Sequence, residues 1–121
     1  MELIQFNKTG GPVTIDIIIN GANIWSYEYV GDSTFKNNSA TSNGSSHILG
    51  SPVNLENDIH SWEIRFGNIS EDSIVAAATI HWKQDGLVLK TWPKKVLVPA
   101  ESVANVSANA LLIGNVLTVV I

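Results

Sequence analysis

Apolar and polar residues alternate with a period of two along most of the chain, and Gly, Asn and Asp clusters break the alternation at short intervals. Val13, Ile15, Ile17 and Ile19 fall on one face, with Thr14 and Asp16 opposite. Beyond Asn20-Gly21, the residues Trp25, Tyr27 and Tyr29 share a face, with Ser26 and Glu28 on the other. A three-residue loop, Ile19-Asn20-Gly21, places Gly21 where a type I turn plus bulge requires positive φ. In that register Ile17 faces Asn23, Ile15 faces Trp25 and Val13 faces Tyr27, so both apolar sets land together. The pattern predicts a hairpin over 12–30, because a one-residue slip would turn one apolar set to solvent.

Ile59 to Phe66 reads as a strand with His60, Trp62, Ile64 and Phe66 on one face and Ser61, Glu63 and Arg65 on the other, ended by Gly67-Asn68. A second hairpin is predicted from Ser73 to Trp92 around Gln84-Asp85-Gly86. Ile74, Ala76, Ala78, Ile80 and Trp82 point inward with Leu87 and Leu89, and the small alanines predict close approach of a second sheet. Val88, Lys90 and Trp92 share the outer parity with His81 and Lys83. Pro93 interrupts, and Lys95 to Val98 forms a short edge strand. Residues 101–113 fit a helix through Val103, Val106, Ala110 and Ile113, or a strand through Ala104, Val106, Ala108, Ala110 and Leu112. The absence of charge after Glu101 leaves no solvated helix face, which favours the strand. Gly114-Asn115 is a predicted turn before a final apolar strand over 116–121. Residues 37–46 are a polar tract without a hydrophobic anchor and read as a long exposed loop.

The expected fold is all-β: an antiparallel β-sandwich of about eight strands, jelly-roll or immunoglobulin-like in size. The two predicted hairpins are its major ribbons. At 121 residues the chain suffices for a single domain, 1–121, with a core that needs no staples. The chain has no cysteine, which excludes a disulfide framework, a thiolate metal site and a Cys nucleophile. A net charge of −4 argues against nucleic acid as a partner. No apolar run is long enough for a membrane span, and Met1-Glu2-Leu3-Ile4 lacks the basic start of a signal peptide. The expectation is a soluble chain, cytoplasmic at synthesis, with release by a non-classical route left open.

Catalytic signals are weak, and the expected protein is not an enzyme. No G-x-S-x-G elbow or phosphate loop occurs. His47, His60 and His81 have no fixed spacing to an acid–nucleophile pair. His60 is expected to be buried and hydrogen-bonded, and His81 to lie on the surface beside lysines. The neighbouring acids Glu56 and Asp58, and Glu71 and Asp72, read as turn solvation, because a glycosidase needs two acids set across a cleft. Asn54, Glu56 and Asp58, with Asp32, offer the oxygens of a calcium loop, but their spacing is not that of an EF-hand. No metal and no cofactor is therefore expected. Five N-x-S/T triplets, starting at Asn7, Asn37, Asn43, Asn68 and Asn105, read as products of Asn- and Ser-rich composition.

The most informative feature is a local charge reversal. Lys83, Lys90, Lys94 and Lys95 are four of the seven positive residues, and against Asp85 they make residues 83–95 +3. Trp92 lies among them on the outer parity, while Trp25, Trp62 and Trp82 are expected in the core. A surface Trp flanked by lysines offers a flat apolar platform with donors around it. The competing reading is that Trp92 folds over a sandwich edge and the lysines guard an edge strand. The expectation is a non-enzymatic, lectin-like recognition module for glycans, with Trp92, Lys90, Lys83, His81 and Lys94 as ligand-binding residues. The alternatives are a protein that self-assembles into a homo-oligomer through sheet edges, and a small β-protein that binds lipid surfaces.

Overall fold

The structure, a computed structural model, describes residues 1–20, 24–30, 34–37 and 44–115, with side chains for 1–20 and 46–115. Among the described residues there are nine strands, β1 (Glu2–Asn7), β2 (Val13–Asn20), β3 (Ile24–Val30), β4 (Thr34–Asn37), β5 (Gly44–Gly50), β6 (Ile59–Asn68), β7 (Ile74–Gln84), β8 (Leu87–Val98) and β9 (Ser102–Asn115), with one short helix, α1 (Pro52–Leu55), between β5 and β6. They form a five-stranded sheet in the order β1-β9-β6-β3-β4 and a four-stranded sheet in the order β5-β2-β7-β8. The all-β expectation holds. One pair departs from the antiparallel pattern: β1 runs parallel to β9, with Ile4 opposite Leu112.

Strand alternation builds a single core from one face of each sheet. Ile4 and Phe6, Trp62, Ile64 and Phe66, and Val106, Ala110 and Leu112 come from the larger sheet. Val13, Ile15, Ile17 and Ile19, Ala76, Ala78, Ile80 and Trp82, and Trp92 and Val98 come from the smaller one. At the centre, the Trp62 ring meets Trp82 edge-on at 5.0 Å and Trp92 edge-on at 5.6 Å, so three indoles join the two layers. His60 is buried, as expected, and stacks on Trp62 at 5.5 Å.

The hairpin expected over 12–30 does not form. β2 pairs with β5 and β7, while β3 pairs with β4 and β6 in the opposite sheet. β2 and β3 therefore belong to different sheets, and the turn expected at Gly21 lies outside the described residues. Coincident apolar faces suit two strands that oppose one another across a core as well as two neighbours in a sheet, so periodicity sets the face and not the partner. Of the tract 37–46, expected to be a loop, Asn37 closes β4 and Gly44 to Ser46 open β5, which takes its hydrogen bonds from β2 instead of needing an anchor of its own; residues 38–43 lie outside the described residues.

The second hairpin does form, around Asp85 and Gly86, both at positive φ (51° and 79°), the geometry of a two-residue primed turn. Leu87, expected inside, is exposed beside that turn. Nor does Pro93 interrupt the ladder: β8 is continuous, and it tolerates proline because it is the edge of its sheet. β9 takes the strand form, burying Val106, Ala110 and Leu112 with Ala104 and Ala108 packed against the core. Gly114 and Asn115 are not a turn but the end of β9, paired with Phe6 and Asn7. A Cβ at Gly114 would lie 3.2 Å from the Phe6 ring, so this glycine makes room for an aromatic neighbour. The strand expected over 116–121 lies outside the described residues.

Buried polar side chains tie the ends of the sandwich. Gln84 donates to the carbonyls of Asn7 and Gly11 and accepts from the Asn7 N–H, clamping the β1–β2 connection to the β7–β8 turn. Asn68 does the same at the other end, donating to the carbonyls of Asp72, Val98 and Pro99. Two of the N-x-S/T triplets act as turn formers. Asn7 Oδ1 accepts from the N–H and hydroxyl of Thr9, and Asn68 Oδ1 accepts from those of Ser70.

Candidate ligand-binding face

The outer face of the four-stranded sheet gathers polar groups from all four strands. Cross-strand register sets Asp16 of β2 opposite Ser46 of β5 on one side and His81 of β7 on the other. His81 in turn stands opposite Thr91 of β8. The row Ser46–Asp16–His81–Thr91 thus runs straight across the sheet, over three strand spacings, roughly 14 Å. Its two outer pairs are hydrogen-bonded, and Lys83 joins the central acid. The Ser46 hydroxyl donates to Asp16 Oδ1 at 2.6 Å, Lys83 Nζ lies 2.5 Å from Asp16 Oδ2, and His81 Nδ1 lies 2.9 Å from Thr91 Oγ1.

This arrangement fixes the charge of its central acid. The hydrogen bond from Lys83, then that from Ser46, holds the Asp16 carboxyl below the ordinary aspartate value of 3.8, against a smaller opposing effect of burial. A depressed native pKa means that the stabilisation from Asp16 is complete above the ordinary value. It declines as pH falls below 3.8 and is gone once the native carboxyl is protonated. The stability difference between the wild type and Asp16→Asn is expected to be constant near neutrality and to shrink below that pH. Urea titrations at stepped pH measure it; a difference that grew as the pH fell would contradict the assignment.

The five residues expected to form one site are dispersed. Lys83 and His81 lie on this face, in the row or beside it. Lys90 instead reaches Glu2 at 3.3 Å and straps β8 to β1 at the margin of the two sheets. Lys94 is exposed on the β8 edge. Trp92 is in the core, 8 % exposed, which corrects the expectation of a surface platform. The cause is a bulge in the β7–β8 ladder: Lys83 pairs with Val88 and Trp82 with Lys90, so Leu89 is an extra residue. One inserted residue inverts the parity of everything beyond it, and Trp92 comes to face Trp62. Lys90, Lys94 and Lys95, with Pro93, then read as protection of an edge strand.

No protein-family model, curated protein or solved structure matches this chain. Nothing in the local sequence marks Asp16, Ser46 and Thr91 as parts of one site. The alternation of β2 already put Asp16 on the polar side, but only the pairing of β2 with β5 and β7 places it between Ser46 and His81. The oxygen-rich trio near α1 is engaged locally. Asn54 donates to the Ser51 hydroxyl, Glu56 pairs with Lys8 at 2.9 Å, and Asp58 accepts from the Ile59 N–H; Asp32 lies outside the described residues. Among the described residues, no three His, Cys, Asp or Glu side chains converge as a metal site would require. No described helix is long and apolar enough to cross a membrane.

The outer face of the five-stranded sheet carries a second polar group of a different kind. Glu63 accepts from Arg65 at 3.2 Å and from the Asn105 amide, and these bonds hold its carboxyl below the usual range.

Proposed function

We propose that this protein is a non-enzymatic recognition module whose ligand lies along the outer face of the four-stranded sheet, and that carbohydrate is the ligand class this face suits. The observation that carries the reading is the row Ser46–Asp16–His81–Thr91, with Lys83 against its central acid. A carboxylate, two hydroxyls, an imidazole and an ammonium supply donors and acceptors in alternation, which is what a line of sugar hydroxyls requires. The groups sit on strands and are oriented by one another, so little side-chain freedom is left to lose on binding. A polar, stacking-poor face of this kind favours modest affinity gained over several hydrogen bonds.

A glycan array probed with wild type, Asp16→Asn, His81→Ala and Lys94→Ala tests the reading. Hits are expected with the wild type and with Lys94→Ala, with at least tenfold weaker binding for the two face variants. Hits that persist unchanged in both would move the site elsewhere, and a blank array would remove carbohydrate as the ligand class.

A further inference from the structure

We propose that β5 is a self-association edge, through which two copies of this chain pair antiparallel and join their four-stranded sheets into one. The two edges of this sheet are built in opposite ways. β8 carries a bulge, Pro93 and the lysines 90, 94 and 95, all devices that discourage another strand from adding to it. Among the described residues β5, Gly-Ser-Ser-His-Ile-Leu-Gly, ends the sheet on the other side, and it has no proline and no Lys, Arg, Asp or Glu. An edge without those devices is a template for strand addition.

The chemistry of β5 selects a second copy as its occupant. Its regular stretch, Gly44 to Ile48, pairs residue for residue with β2 before the register shifts at the Val13 end. Antiparallel self-pairing centred on Ser46 sets Ser46 against Ser46 and each Gly44 against the other copy's Ile48. Ile48 is 70 % exposed in the single chain, and a glycine opposite gives its side chain room to lie across the junction. No like charges meet along the paired strands, although each chain carries a net charge of −4. The arrangement is isologous and closes after two copies. It also has a consequence for the outer face: with Ser46 at the two-fold axis, the rows from Ser46 to Thr91 of the two copies meet end to end in one face. The pairing does not depend on what that face binds.

The absence of cysteine makes a direct test simple. Opposed residues at the centre of an antiparallel pair have Cβ atoms close enough for a disulfide. Ser46→Cys is expected to form a covalent dimer in oxidised glutathione at least tenfold faster than Thr91→Cys, an exposed position on the opposite edge strand. Sedimentation of the unmodified protein over a dilution series is expected to show a mass rising to twice 13.1 kDa. Ser46→Lys, which places two ammonium groups face to face, is expected to weaken that association at least tenfold while its far-ultraviolet spectrum stays native. Ile48→Asp serves in its place if Ser46→Lys does not fold. The proposal is overturned by a monomer at every concentration, by equal cross-linking of the two cysteine variants, or by folded edge variants that associate as tightly as wild type.

Discussion

Trp92→Ala is expected to lower the free energy of unfolding by about 3–5 kcal/mol, the range for removing a large aromatic from a packed core. Trp92 is 8 % exposed and stands opposite Ile80 on the inward side of β8. It also meets Trp62 at 89° and 5.6 Å, so its loss removes one of the three rings that join the sheets. Urea unfolding followed by tryptophan fluorescence and by far-ultraviolet circular dichroism measures the loss. Lys94→Ala, on the exposed edge two residues away, is expected to change stability by less than about 0.5 kcal/mol. A Trp92→Ala variant as stable as Lys94→Ala would return this ring to the surface. The comparison also guards the glycan experiment, since a destabilised Trp92 variant that lost binding would say nothing about where a ligand sits.

Asn68→Ala is expected to cost roughly 3 kcal/mol, because it strands several buried polar groups at once. The Asn68 amide serves three carbonyls, those of Asp72, Val98 and Pro99, at 2.9–3.2 Å, and its oxygen accepts from Ser70 twice. These bonds join the β6–β7 connection to the end of β8 at a site where Asn68 is only 2 % exposed. Asn68→Asp separates the two halves of the role. The acid keeps the acceptor for Ser70 but turns a carboxylate toward three carbonyl oxygens, so it is expected to be no more stable than the alanine variant at neutral pH. Thermal unfolding at matched concentration decides it. An Asn68→Asp protein close to wild type would show that the Ser70 turn, and not the carbonyl clamp, is what matters.

Much of the local structure was legible without coordinates. The alternation of β2, β6 and β7 named the residues that are buried there, and the lack of charge after Glu101 correctly favoured a strand for β9. Asp85-Gly86 announced its hairpin because few other dipeptides accept two consecutive positive φ values. β1, β4 and β5 do not stand out in the sequence. β1 and β4 are short, and four of the seven residues of β5 are Gly or Ser; the three hold their conformation by pairing with longer strands, β9, β3 and β2.

The candidate site divides along the same line. His81 and Lys83 were visible as polar positions near one another on a single strand, a local property. Trp92 was misplaced because the bulge at Leu89 shifts the ladder by one residue, and nothing in the local alternation marks where a partner strand will accept an extra residue. Asp16, Ser46 and Thr91 become one row only when β5, β2, β7 and β8 lie side by side. By itself the amino-acid sequence determined the all-β class, which face of most long strands is apolar, and the chemistry excluded by the lack of cysteine. The tertiary structure alone decided which strands are neighbours, which sheet each enters, and which distant polar residues meet. The physical reason is one of range: side-chain alternation is set within a strand by backbone geometry, whereas pairing is chosen by hydrogen bonds and packing between segments far apart in the chain.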